Sequence, residues 1–163
     1  MTLLLADSRF LRHETGRHVE TPERLRAIEG RLVQSGLADR CHRLPFDAAP
    51  INDIVAVHSP SMVEQLRHIA EQGGGRADPD TVISPDSPMV AALAVGACCA
   101  AVDAVMAGED RTALCLVRPP GHHATPHRMM GFCLYNNVAL AARRAIDRHG
   151  LNRVMIIDWD VHH

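Results

Sequence analysis

Two short runs, "ALCLV" at 113–117 and "VMII" at 154–157, constrain the fold of this chain most. Each is apolar on consecutive residues, not on alternate ones. A strand with one wet face alternates; a strand covered on both faces does not. Both runs therefore suit central strands of a parallel sheet, and Leu3–Ala6 suits a third. Four helical segments alternate with them. Thr21-Pro22, Ser59-Pro60 and Ser87-Pro88 each set a capping hydroxyl before a proline at the first helical position. The first helix runs to about Ser35, with Leu25, Ile28 and Leu32 on one face. The second spans about 60–72 and ends in Gly73-Gly74-Gly75. The third is the Ala-rich stretch 88–107. The fourth, about 134–149, turns Val138, Ala141, Ala142, Ala145 and Ile146 inward, with Gly150 after it. Helix and strand in alternation give an α/β domain with a mostly parallel sheet. The long loop is expected at Gly73–Asp80, and no linker divides the chain.

The third helix is long and apolar enough to cross a bilayer, but it is rich in weakly hydrophobic Ala and carries Asp103. A helix apolar on all sides is expected in a core, between a sheet and other helices. No membrane partner is expected. With 17 Lys and Arg against 19 Asp and Glu, the net charge of −2 gives no basic field for nucleic acid. Five cysteines, none in a Cys-x-x-Cys pair, point to reduced thiols and a cytoplasmic protein. Histidine is abundant, at 11 residues, and this raises the prospect of metal or acid–base chemistry.

Both central runs end in polar clusters. "ALCLV" enters "RPPGHHA" and "VMII" enters "DWDVHH". Ligands in parallel α/β sheets collect at the carboxyl ends of strands, so the two clusters are expected in one crevice. In extended chain Asp158, Asp160 and His162 share a side. Asp160 and His162 then offer an oxygen and a nitrogen to Zn²⁺, while Asp158 holds another imidazole from behind. The alternative is helix-capping acids and a surface histidine pair. Asp-x-His also serves metal phosphoesterases, so this motif alone leaves the reaction open. Arg118-Pro119-Pro120-Gly121 is a stiff turn presenting His122 and His123. These can take up and return a proton near neutral pH, one of them oriented by Asp158; a plain surface turn is the alternative. Gly131-Phe132 suits the wall of a narrow channel, or Phe132 is simply core. Cys133 reads as structural, and Asn136 and Asn137 as the start of a helix.

"RPPGHHA", "GFCLYNNVALAAR" and "VMIIDWDVHH" resemble the histone deacetylase family, particularly its class II-like members and the bacterial deacetylase-like amidohydrolases. "HVETPERLRAI" is similar to that family's N-terminal motif, with Val19 where proline is usual; "VHSPSMVEQL" and "DPDTVISPDS" also fit. The resemblance runs from about His13 to His163. It implies an arginase/deacetylase-like three-layer α/β fold with an eight-stranded, mostly parallel sheet, and zinc-dependent removal of acetyl from acetyl-lysine or an acetylated polyamine. It makes Asp160 and His162 zinc ligands, His122 and His123 the tandem acid–base pair, and Asp158 the partner of His122. Gly131 and Phe132 would line the acyl channel, Asp80 would hold substrate at the rim, and the stretch Asp158–His162 would contribute to a K⁺ site. The family's third zinc ligand and its transition-state tyrosine lie further along the chain. Residues 1–163 are therefore expected to be the N-terminal part of a single, truncated domain. By itself such a chain is expected neither to hold zinc tightly nor to turn over. The rival expectation is a non-catalytic truncated fragment that acts, if at all, by binding.

Overall fold

A computed structural model describes residues 1–163. Strand β1 (Thr2–Ala6) lies at the centre of a parallel three-stranded sheet. β2 (Cys41–Arg43) pairs with one edge of β1, and β5 (Ala113–Leu116) with the other. Helices α1 (Pro22–Gln34), α2 (Ile51–Ile54), α3 (Pro60–Glu71), α4 (Ser87–Met106) and α5 (Asn137–His149) complete the chain. A hairpin of β3 (Gly75–Asp78) and β4 (Thr81–Ile83) stands apart from the sheet. That hairpin occupies most of the segment expected as a loop.

α4 organises the interior, and its sequence explains how. Val90, Leu93, Ala94, Ala97, Ala101 and Ala104 face the sheet and pack with Leu3, Leu4, Leu5 and Phe10. Ala91, Val95 and Cys99, spaced four apart, face the other way onto Met62, Val63, Leu66 and Leu134. One helix thus joins two cores, which is why it is apolar all round. Each large side chain it buries contributes roughly 1.5–3 kcal/mol. Small Ala and Cys residues between them let neighbouring elements approach. Asp103 sits at the rim, held by Arg144 at 2.6 Å and His149 at 2.8 Å.

The caps differ in part from the sequence expectation. Ser59 caps α3, its hydroxyl accepting from the Met62 amide at 3.3 Å, and Asn136 caps α5 through the Ala139 amide at 3.0 Å. Thr21 makes no side-chain cap. Ser87 lies inside α4, where its buried hydroxyl accepts from the Ser84 amide and meets His13 Nδ1 at 2.8 Å. The largest difference is at 154–157. This run forms no strand and is exposed, with Met155 at 82% and Ile157 at 68%. Local sequence makes it strand-ready, but a strand is completed only by hydrogen bonds to a neighbour. An open cleft of about 670 Å³ is bordered by Cys115 and Val117 on one side and by Ile156 and Ile157 on the other. The face of α5 expected inward is likewise only loosely covered. Val138, Ala141 and Ala145 border an all-apolar cavity against Val154–Ile157, and Val138 and Ile146 stay partly exposed.

Candidate active site

The carboxyl end of β5 leads straight into Arg118, whose side chain is buried. Its guanidinium donates to Glu20 Oε2 at 2.7 Å and to the carbonyls of Phe10 and His13 at 3.0 Å each. Glu20 and His13 are also almost wholly buried. This network ties the segment before α1 to the loop carrying the tandem histidines. Burial pushes His13 down to about 4, so the ring is neutral beside the ion pair. Gly121 then passes so close to the start of α5 that a Cβ there would meet the Asn137 nitrogen at 2.6 Å and the Tyr135 oxygen at 2.7 Å.

His58, from the "VHSPS" stretch, pins the same loop from below. Its Nδ1 lies 2.9 Å from the Thr125 carbonyl, and its Nε2 accepts from the Asn136 amide at 2.9 Å. The acceptor role of Nε2 makes Nδ1 the donor and the ring neutral, and burial accordingly lowers its proton affinity.

His122 and His123 follow, with ring centroids 4.1 Å apart. His122 Nδ1 lies 2.8 Å from Asp158 Oδ2. The carboxylate can only accept, so Nδ1 carries a proton and Nε2 faces away from Asp158. The Asp160 amide and the His122 ring together hold the Asp158 carboxyl below the usual carboxylate range. His123 stacks on Gly131, where φ is +57° and a Cβ would stand 2.5 Å from the imidazole Cδ2. Phe132 also has positive φ, +68°. Its backbone amide donates a hydrogen bond to the Thr81 hydroxyl at 3.1 Å, and its ring meets the edge of His18 at 4.7 Å between centroids. His18 Nε2 in turn reaches the Asp80 carbonyl at 3.0 Å.

These side chains border one open pocket of about 680 Å³. His122, His123, Gly131, Phe132, Asp80, Asp160 and His162 all line it, with Val19 and Arg24. Asp158 lies behind His122, on the neighbouring cleft. The strict alternation expected through 158–162 is replaced by two tight turns. The Asp160 amide donates to Asp158 at 3.1 Å, and the His162 amide to Asp160 at 2.9 Å. Asp160 Oδ1 and His162 Nδ1 are 3.9 Å apart. Their oxygen-and-nitrogen chemistry suits Zn²⁺, but no group of three or more His, Cys, Asp or Glu side chains converges to hold a metal. A resident zinc takes three or four protein ligands. Two donors fall short of such a set.

Sequence reasoning missed His13, Glu20, His18 and His58. His18 and Glu20 lay inside "HVETPE" and His58 inside "VHSPS", both already singled out, while His13 lay ahead of them. What was missing was the partner: Glu20 meets Arg118 across about a hundred residues, and periodicity carries no such information. Cys133 is buried, and its thiol is pushed up to about 12 by burial, as suits an inert structural residue.

The family model of the histone deacetylase domain matches residues 18–163. The histone deacetylase-like amidohydrolase of Pseudomonas aeruginosa is 42% identical over 146 residues, covering 90% of this chain and 38% of that protein. The polyamine deacetylase HDAC10 of Homo sapiens is 43% identical over 152 residues, covering 89% of this chain and 23% of that protein. The crystal structure of the HDA15 HD domain superposes with a TM-score of 0.93 at 34% identity, over 100% of this chain and 48% of that one. The α/β architecture with its parallel sheet is thus the arginase-like fold of that domain, and the chain spans about half or less of the length of these relatives. This chain belongs to the histone deacetylase family.

Proposed function

We propose that residues 1–163 form the N-terminal part of a single zinc-dependent deacetylase domain, one that hydrolyses the acetyl amide of acetyl-lysine or an acetylated polyamine. The observation that carries the reading is the His122–Asp158 bond, with His123 stacked beside it, on a pocket that also receives Asp160 and His162. Asp160 and His162 would hold the metal, and the same stretch would border a K⁺ ion. Zinc, when bound, supplies Lewis-acid polarisation of the acyl carbonyl. The chain's own residues supply the rest. Asp158 fixes the His122 tautomer and ring orientation, and the two imidazoles take a proton from the attacking water and return one to the leaving amine. Gly131 and Phe132 form the wall against which a flat acyl chain lies, and Asp80 offers a carboxylate at the mouth. The amidohydrolase and the polyamine deacetylase among the relatives are equally similar, so both substrate classes belong to the proposal. Five unpaired thiols fit a reducing compartment such as the cytoplasm.

Two donors for the metal imply that the 163-residue chain alone binds zinc weakly and does not turn over. The test joins residues 1–163 to the remaining length of the Pseudomonas relative. It then assays the zinc-loaded chimera and the lone chain on an acetyl-lysine peptide, an N-acetylated polyamine and a chromogenic phosphate ester. The chimera is expected to release acetate from one or both amides, with kcat lowered about 10²–10⁴-fold by His122→Ala or His123→Ala. Turnover by the lone chain would overturn its incompleteness. A folded, zinc-bound chimera that hydrolyses only the phosphate ester would overturn the deacetylase reading, and one inactive on every substrate would favour a non-catalytic binding role.

A further inference from the structure

Asn136 stands where the tandem-histidine loop meets α5, and every hydrogen-bonding group it has is engaged. Its side-chain oxygen accepts from the Ala139 amide at 3.0 Å, which caps α5. Its backbone carbonyl accepts from the Leu140 amide at 3.0 Å. Its backbone N–H donates to His58 Nε2 at 2.9 Å. The side-chain NH₂ donates to two carbonyls of the loop, Ala124 at 3.0 Å and, more loosely, His122 at 3.4 Å. The cap settles which side-chain atom is which, because a flipped amide would set NH₂ against an N–H and oxygen against two carbonyls. A cap needs only an oxygen, and Ser, Thr or Asp would serve as well in that position. The two donors of the amide are left over by that role, and both are aimed at the loop.

We propose that Asn136 is a positioning residue for His122 and His123, acting through the peptide that joins them. The His122 carbonyl and the His123 N–H belong to one planar unit, so a donor on that carbonyl restrains ψ of His122 and φ of His123 together. The Ala124 carbonyl, held by the same NH₂, lies just beyond a turn in which the Ala124 amide donates to the Gly121 carbonyl at 3.1 Å. On this backbone His122 Nδ1 reaches Asp158 at 2.8 Å, His123 lies against Gly131, and the two rings stay 4.1 Å apart. The anchor is itself braced. His58 joins the Asn136 amide to the Thr125 carbonyl at 2.9 Å on each side, and the buried Asn137 donates to the Pro119 carbonyl at 3.2 Å. The loop is thus held at Pro119, His122, Ala124 and Thr125, and Asn136 supplies the two middle points. The consequence for turnover rests on the deacetylase reading above; the geometry of the two rings stands without it.

Asn136→Asp and Asn136→Ser separate the two roles, since each keeps a capping oxygen and removes the NH₂. In isotopically labelled chain studied by NMR, both variants are expected to keep α5 helical, with the Ala139 amide still protected from hydrogen exchange. Asn136→Ala, which removes the cap as well, is expected to lose that protection. In Asn136→Asp and Asn136→Ser the backbone amide resonance of His123 is expected to shift, and cross-peaks between the His123 ring and Gly131 to be lost. In the chimera with the Pseudomonas relative, both variants are expected to lower kcat about 10²-fold with KM unchanged, as for a reacting group misplaced by about 1 Å. A carboxylate also repels the two carbonyls, so Asn136→Ser decides where the two variants differ. His123 resonances and cross-peaks unmoved in Asn136→Ser would overturn the proposal. So would loss of α5 in both variants, or an active chimera whose kcat neither variant lowers. A chimera inactive with Asn136 intact would count against the deacetylase reading alone, and the ring geometry in the 163-residue chain would still decide the role of Asn136.

Discussion

Replacing Gly131 by Ala isolates the contact that seats His123. Two costs arise. The first is backbone strain: φ is +57°, and an L residue there costs about 1–2 kcal/mol. The second is steric. The new Cβ would stand 2.5, 2.7 and 2.9 Å from Cδ2, Cγ and Cβ of His123. Rotation about χ1 moves the ring but not the His123 Cβ, so the backbone of one loop must shift. Overpacking of this kind costs about 1–3 kcal/mol more. Gly36 supplies the control, since its φ is +70° and nothing lies within 4 Å of its would-be Cβ. Gly36→Ala therefore carries the strain alone, and Gly131→Ala both costs. In urea unfolding followed by circular dichroism, the two variants are expected to differ by about 1–3 kcal/mol. For a chain of this size that corresponds to about 2–4 °C in Tm for each kcal/mol. The ring resonances of His123 should move in Gly131→Ala and stay unchanged in Gly36→Ala. Equal destabilisation by the two substitutions, or an unmoved His123 in Gly131→Ala, would refute the stacking argument.

Three further outcomes are expected. Glu20→Gln leaves a buried guanidinium at Arg118 without its carboxylate, and the urea midpoint should fall by the equivalent of about 3–5 kcal/mol, whereas a loss under about 1 kcal/mol would show the pair to be dispensable. His13 is depressed from 6.5 to about 4, so between those values the unfolded chain binds a proton that the folded chain refuses. Its contribution is complete above pH 6.5 and is lost as pH falls toward 4. It amounts to about 3 kcal/mol, and the wild-type stability slope in that window should exceed that of His13→Asn. The exposed apolar run at Met155–Ile157 is expected to drive concentration-dependent self-association in light scattering, reduced in a Met155→Lys/Ile157→Lys double variant. Identical scattering by both proteins would assign the association elsewhere.

The local part of this protein was legible from the residues alone. The strand-like runs at 3–6 and 113–117 became β1 and β5, but only β1 is central and buried; β5, expected to be covered on both faces, is the edge of the sheet with Ala113 and Leu114 exposed. The apolar stretch around 88–107 was legible as a core helix from its mixture of Ala and a single acid. The placement of polar clusters after strand-like runs located the pocket, since the carboxyl ends of parallel strands open to one side. Tertiary structure decided the rest. The run at 154–157 has the composition of a central strand and yet pairs with nothing, because strand pairing is a property of two segments and not of one. The turns at Asp158–Asp160 and Asp160–His162 override alternation because short acidic side chains bond their own downstream amides. The network of Glu20, Arg118 and His13 and the neutral wedge of His58 join residues far apart in sequence. Periodicity records which way a side chain faces along its own element. Only the packed structure records what it finds there.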